Sequence, residues 1–148
     1  MTQYPNYALA VDAACSGNPG PMEYRGVLLY SETPSDPSTF RAVKDVFHYG
    51  PVHGTNNIGE FLAIVHALAL MKQKDITMTI FSDSMTAQTW VRNRKCKTTL
   101  ARTPENEELL GLVARAESWL LAHQPLTAPV IKWDTDTYGE IPADFGRK

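Results

Sequence analysis

Three acidic residues stand where the local pattern of the chain changes. Asp12 ends the apolar run Ala8-Leu9-Ala10-Val11 and is followed by the turn-rich Cys15-Ser16-Gly17-Asn18-Pro19-Gly20-Pro21; Asp83 closes the β-branched and apolar stretch Thr77-Met78-Thr79-Ile80-Phe81-Ser82. Glu60 lies near the start of a stretch with helical spacing. Each has an ordinary explanation. An aspartate at a strand end starts a turn by accepting bonds from the backbone that follows. With Asn57 as N-cap, Glu60 falls at the third helical position, where an acid favours the amides and the dipole, and Asp83 precedes a Ser84 cap. The alternative is that the three meet. Open sheets build sites outside their strand ends, near the point where strand order changes direction. If the strands ending in Asp12 and Asp83 are neighbours, their carboxylates lie side by side and Glu60 can point to the same place. Three carboxylates about 4 Å apart repel by roughly 4 kcal/mol per pair at an effective dielectric near 20, and divalent cations are the usual compensation. An all-oxygen set without a soft ligand suits magnesium, or manganese as a substitute, and not zinc. Two such ions can activate a water, clamp a phosphate and stabilise the leaving oxygen of an in-line displacement. The chemistry implied is phosphodiester hydrolysis.

Elements of both periods are needed to carry these residues. Runs at about 7–13, 26–30 and 40–49 read as strands separated by short turn-rich linkers, which favours an antiparallel meander, because parallel neighbours need a crossover of a dozen residues or more. The chain then changes period: Phe61, Leu62, Val65 and Leu68 recur at helical spacing to about Lys74, with Asn56 and Asn57 where an N-cap belongs. A helix between the third strand and the strand ending at Asp83 makes a crossover with parallel pairing. Ser84 can cap a second helix through Ala87, Trp90 and Val91, and Pro104 opens a third that buries Leu109, Leu112, Val113, Ala116, Trp119 and Leu120 and ends near His123. Val130 to Trp133 is a last strand, and Ala143 to Lys148 forms at most a turn or two of helix. The order βββαβααβα predicts an α/β fold with a mixed five-stranded sheet, three antiparallel strands then two parallel ones, flanked by helices. Trp90, Trp119 and Trp133 fall on faces expected to be buried.

The totals are compatible with one domain over residues 1–148, since a chain of 148 residues buries roughly two thirds of its unfolded surface without staples. Fourteen basic and sixteen acidic residues give a formal charge of −2, so a nucleic-acid partner must be met by a local patch. Cys15 and Cys96 lack metal-ligand spacing and are too few for a disulfide framework, which suits a reducing compartment, with the cytoplasm as the default. Neither an export signal nor a membrane span is expected.

Taken together, the segments resemble the type 1 ribonuclease H family. Asp12-Ala13-Ala14-Cys15-Ser16-Gly17-Asn18-Pro19-Gly20-Pro21 resembles its first motif, Thr55-Asn56-Asn57-Ile58-Gly59-Glu60-Phe61 its second, Phe81-Ser82-Asp83-Ser84 its third and Pro142-Ala143-Asp144 its fourth. The four come in family order and cover nearly the whole chain. The resemblance implies that Asp12, Glu60, Asp83 and Asp144 bind two magnesium ions and that the enzyme cuts the RNA strand of an RNA-DNA hybrid, leaving 3′-hydroxyl and 5′-phosphate ends. It also implies that Cys15, Gly17, Asn18, Asn56 and Asn57 approach the RNA strand in the minor groove, where the 2′-hydroxyl distinguishes RNA from DNA, and that Thr55 holds a DNA phosphate. Asn56 and Asn57 keep plain helix capping as their other reading.

Arg92, Arg94, Lys95, Lys97 and Arg102 follow the second helix, where many family members carry a longer basic protrusion. Here Arg94 and Lys95 are expected to line a phosphate-binding patch of weak intrinsic grip. Two departures stand out. The usual Asp-Gly-Ser of the first motif is Asp12-Ala13-Ala14, and the loop before the fourth carboxylate, Asp134 to Glu140, lacks the family's histidine. A short handle and compact tail resemble the branch in which this catalytic domain follows a viroplasmin-like, hybrid-binding module, which these residues do not contain. Two other functions remain open on sequence: a hybrid-binding module with weak or failed catalysis, and a DNA nuclease or transposase-like enzyme on the same fold.

Overall fold

The computed structural model describes residues 2–145. Its elements run β1 (Thr2–Cys15), β2 (Gly20–Tyr30), β3 (Arg41–Gly54), α1 (Asn56–Lys74), β4 (Ile76–Ser82), α2 (Met85–Asn93), α3 (Glu107–Ala122), β5 (Val130–Lys132) and α4 (Thr135–Tyr138). One sheet orders the strands β3-β2-β1-β4-β5. β1 pairs antiparallel with β2 and β2 with β3, whereas β1 with β4 and β4 with β5 are parallel. This is the expected α/β architecture and element order.

Alternation along the central strands divides the core. Leu9, Val11 and Ala13 of β1 and Ile80 of β4 belong to the cluster packed under α1, α2 and α3. Ala8 and Ala10 of β1 and Phe81 of β4 face the other way, into a smaller cluster with Trp133, Ile141 and Ala143. Because side chains alternate across a strand, Asp12 and Asp83 follow the parity of Ala10 and Phe81 and leave the sheet on the face away from the three long helices. The pairing of Ala10 with Phe81, continued by two residues, sets Asp12, still inside β1, level with Asp83, the first residue past β4.

Several local expectations are corrected. The first three strands are longer than their apolar runs, because pairing extends β1 into Cys15 and β2 back to Gly20, with Cys15 opposite Met22. The N-cap of α1 is Thr55, whose side chain accepts from the Ile58 amide at 3.3 Å, and not Asn56 or Asn57. Glu60 is therefore beyond the first turn's capping positions, and its burial has another cause. The last helical turn is α4, in the loop before the fourth motif; Pro142 and Ala143 make a turn, and the remainder of the helix expected over 143–148 lies outside the described residues from 146 onward. Trp133 is buried as expected, whereas Trp90 and Trp119 are half-buried. Among the described residues no helix is long and apolar enough to cross a membrane.

His66, in α1, stacks on Phe47 with ring centroids 4.0 Å apart, and its Nδ1 is 3.0 Å from the Tyr24 hydroxyl. Burial pushes this imidazole below its ordinary pKa, and burial keeps the Tyr24 phenol protonated, so the hydroxyl donates and the neutral ring accepts. The unfolded chain takes up the His66 proton near pH 6.5, before the folded chain does, so stability is lost as pH falls below about 6.5 and down through the lowered folded value. Replacing His66 by Gln, which still accepts from Tyr24 but does not titrate, is expected to reduce the drop in melting temperature between about pH 7.5 and pH 5.5. An equal drop in both proteins, measured by calorimetry, would remove His66 from the acid sensitivity.

Candidate active site

The carboxylates of Asp12, Glu60 and Asp83 each offer an oxygen within 4.8 Å of the others. Asp12 and Glu60 are 0% and 1% exposed, and Asp83 is half-buried at the opening. Glu60 is turned inward, where its Oε1 accepts from the Ala13 amide at 3.0 Å, so the start of α1 is fastened to β1 one residue past Asp12. Asp83 is held through its predecessor. The Ser82 carbonyl accepts from the Trp133 amide at 2.8 Å and from Gln88 Nε2 at 3.0 Å, while Ser82 Oγ accepts from the Ser84 amide at 3.1 Å. Strand β5 and helix α2 thus fix where β4 releases its last carboxylate.

Asp144 is not one of the three carboxylates gathered within that distance, and the tail that carries it meets the site through its neighbour. The amide of Phe145 donates to Asp12 Oδ2 at 3.3 Å, and the Asp144 amide donates to Ile141 O at 2.8 Å. The buried Ile141 and Ala143 anchor the tail under the sheet. In the loop before it, Asp134 caps α4, Tyr138 packs on Trp133 with centroids 5.4 Å apart, and Trp133 Nε1 donates to Gly139 O at 2.9 Å.

An oxygen-only set of this density fits a divalent cation: such ions take carboxylate oxygens, and gathering three carboxylates in a largely buried place without one sets like charges against each other.

The loop from Cys15 to Gly20 borders α1. Gly17 has φ +82°, a conformation side chains rarely adopt. Asn18 Oδ1 accepts from the Asn56 amide at 3.1 Å, so Asn18 joins the loop to the helix start. The Cys15 thiol lies 3.6 Å from Gly20 O, at the start of β2, and 3.5 Å from Gly54 O, at the end of β3, and burial raises its pKa, which keeps it a neutral donor there. Thr55 and Asn56 are half-buried and Asn57 is exposed.

Beside them runs a groove of about 560 Å³ lined by Asn18, His53, Thr55, Asn57, Trp90 and Lys97, among others. The basic segment divides here. Lys95 Nζ is 3.6 Å from Glu117 and Arg102 is 2.8 Å from Glu107, while Arg94 ends α2 in a left-handed conformation. Lys97 lines the groove; Arg94 and Lys95 do not. His53 and Trp90 were not legible as groove residues. The one available signal for His53 is its spacing of two from Thr55, which suits a common face at the end of β3.

Comparison with known proteins decides the family. The family model "RNase H" matches residues 5–127, which include Asp12, Glu60 and Asp83. The chain belongs to the ribonuclease H family. Among its relatives, the ribonuclease H of Neorickettsia sennetsu is 27% identical over 156 residues, covering 96% of this chain and 91% of the relative. That of Rickettsia massiliae is 30% identical over 146 residues, 90% of this chain and 82% of the relative. In fold the chain is similar to the RNase H1 crystal structure from the halophilic archaeon Halobacterium salinarum, with a TM-score of 0.56 at 19% identity and coverage of 93% and 92%. This ribonuclease H carries the three clustered carboxylates inside the matched residues, and Asp144 beyond them.

Proposed function

We propose that this chain, acting as one catalytic unit over 1–148, is an endoribonuclease that hydrolyses the RNA strand of RNA-DNA hybrids with two magnesium ions, for which manganese can substitute. The observation that carries the reading is the meeting of Asp12 of β1, Glu60 of α1 and Asp83 just past β4 within 4.8 Å. Asp12, Glu60, Asp83 and Asp144 would hold the ions. When bound, they supply Lewis acidity that makes a nucleophile from water at neutral pH and offsets charge on the phosphate.

The protein's own groups do the remaining work. The Ala13 amide keeps Glu60 turned to the site, and the Ser82 carbonyl network keeps Asp83 at the strand end. The loop with Cys15, Gly17 and Asn18 and the start of α1 with Asn56 and Asn57 form the surface offered to the RNA minor groove, where 2′-hydroxyls are read. The groove with Thr55 is the place for a phosphate of the DNA strand. A reducing, cytoplasmic setting suits the two free cysteines, Cys15 and Cys96; the Cys96 thiol is pushed by burial up to about 12 and stays unreactive. An N-terminal hybrid-binding module on a longer protein would supplement the modest basic surface.

Of the basic residues, Lys97 is the one placed to meet phosphate in the groove; Arg94, at the end of α2, extends the patch. Lys95 shares its charge with Glu117. Lys97→Glu is expected to weaken hybrid binding in chelator several-fold and to reduce the salt slope by about one phosphate contact, with a smaller effect from Lys95→Glu. Equal slopes in wild type and Lys97→Glu, by fluorescence anisotropy across salt concentrations, would remove Lys97 from the interface.

The function is tested by offering labelled RNA-DNA hybrid, double-stranded RNA and duplex DNA with magnesium, manganese or chelator. Cutting of hybrid alone, dependent on metal, is the expected result. Equal cutting of duplex DNA would point to a DNA nuclease, and binding without cutting to a hybrid-binding module.

A further inference from the structure

Asp12, Glu60 and Asp83 sit on or directly beside long elements, but Asp144 lies on a tail, 139–145, that has neither strand nor helix. Burial of Ile141 and Ala143 fixes the tail's depth. Its register along the sheet is held by something else. Arg25, in β2, is the pairing partner of Asp12 in β1. Its Nε donates to Ala143 O at 2.8 Å and its Nη2 donates to Asp144 O at 3.0 Å. Its Cζ lies 4.8 Å from the centre of the Phe145 ring, and its Nη1 is 3.6 Å from Asp45. One guanidinium thus engages three consecutive residues of the tail. The Phe145 amide then donates to Asp12 Oδ2, which closes a ring of contacts running from Asp12 across the sheet to Arg25, along the tail and back to Asp12.

We infer that Arg25 is a positioning residue, a main-chain clamp that sets the place of Asp144 beside the three clustered carboxylates and fixes the orientation of Asp12 through Phe145. The metal-binding side of this role rests on the function proposed above; the clamp does not. An arginine is required because two successive carbonyl oxygens are met by two donors of a rigid planar fork while the face of the same group lies on an aromatic ring. A lysine offers a point charge without the fork. The clamp contacts no substrate and carries no proton in the reaction. Its effect is on how well the fourth carboxylate is presented, so it should appear in metal dependence and not in hybrid affinity.

The experiment uses the full chain with Arg25→Ala and Arg25→Lys, the second serving if the first does not fold. Outer partners of a metal ligand typically change metal affinity or activity about 10- to 100-fold. The magnesium concentration for half-maximal cleavage should therefore rise by about tenfold, with KM for hybrid within about twofold of wild type. Lysine should restore little. Independently of cleavage, amide hydrogen exchange at Asp144 and Phe145 in the metal-free protein should accelerate by about tenfold or more, while exchange at Leu9 and Ile80 stays unchanged. Unaltered tail exchange in Arg25→Lys would overturn the clamp. Faster tail exchange with an unchanged magnesium midpoint would reduce Arg25 to a structural anchor and overturn its positioning role. If wild type cuts no hybrid, the functional reading fails separately, and tail exchange together with manganese binding by calorimetry still decides the part played by Arg25.

Discussion

Asp83→Asn is expected to leave the protein folded and to remove cleavage. The substitution keeps the shape of the side chain at the end of β4 and leaves the bonds to the Ser82 carbonyl in place, so the strand end does not move. It takes one of three charges from a group held within 4.8 Å. If Asp83 holds the metal as proposed, the loss should exceed the roughly 10- to 100-fold typical of an outer partner of a metal ligand. Two thermal measurements separate this from damage to the fold. Without metal, the melting temperature should not fall, since one repulsive charge is gone. With magnesium, the rise shown by wild type should shrink, because a ligand stabilises the fold only as far as it binds the native state. A variant that cleaves normally, or one that melts far below wild type without metal, would contradict the role given to Asp83.

Gly59→Ala is expected to destabilise the protein, against the helix propensity of the exchange. By helix propensity alone, alanine inside α1 should gain about 1 kcal/mol over glycine. The packing decides otherwise. A Cβ at Gly59 would stand 2.7 Å from Met22 Sδ and 2.8 Å from the Ala13 Cβ. Met22 can shift, but it is fully buried, and Ala13 belongs to the central strand. Overpacking costs about 1–3 kcal/mol; with two contacts under 3.0 Å the upper part of that range, about 2–3 kcal/mol, applies, and after a helical gain of about 1 kcal/mol the net loss is about 1–2 kcal/mol. For a chain of this size that is roughly 2–8 °C in melting temperature. The displaced contact is the one where α1 meets β1, beside the bond from the Ala13 amide to Glu60, so activity should fall as well. A melting temperature above wild type would show that the helix moves away at little cost.

What the chain reveals before folding depends on how local each interaction is. Asp12 was legible because its own neighbours mark it: an apolar run before it and a glycine and proline loop after it. Asp83 was legible from the β-branched and apolar run before it and the Ser84 cap after it. That the two face each other was only a conditional statement, because the register joining Ala10 to Phe81 is written in no single segment. The cap of α1 was misplaced by one or two residues because Thr55, Asn56 and Asn57 are all good caps, and only the bond from Ile58 chooses among them. Arg25 carried no signal at all: its partners lie 118 and 119 positions away in sequence, and an arginine on a strand otherwise reads as solvated surface. Which basic side chain borders the groove was also hidden, since Glu117, from α3, pairs with Lys95 while Lys97 lines the groove.

The central claim is that the clustered carboxylates direct hydrolysis at the RNA strand, and the ends left on the products test it most directly. Hybrid labelled on each strand in turn is cut with magnesium, and the fragments are offered to a ligase without prior treatment. The expected result is cutting of the RNA strand alone, with 3′-hydroxyl and 5′-phosphate ends that ligate. Cutting of the DNA strand, or RNA fragments that end in a 2′,3′-cyclic phosphate from attack by the neighbouring 2′-hydroxyl, would contradict it.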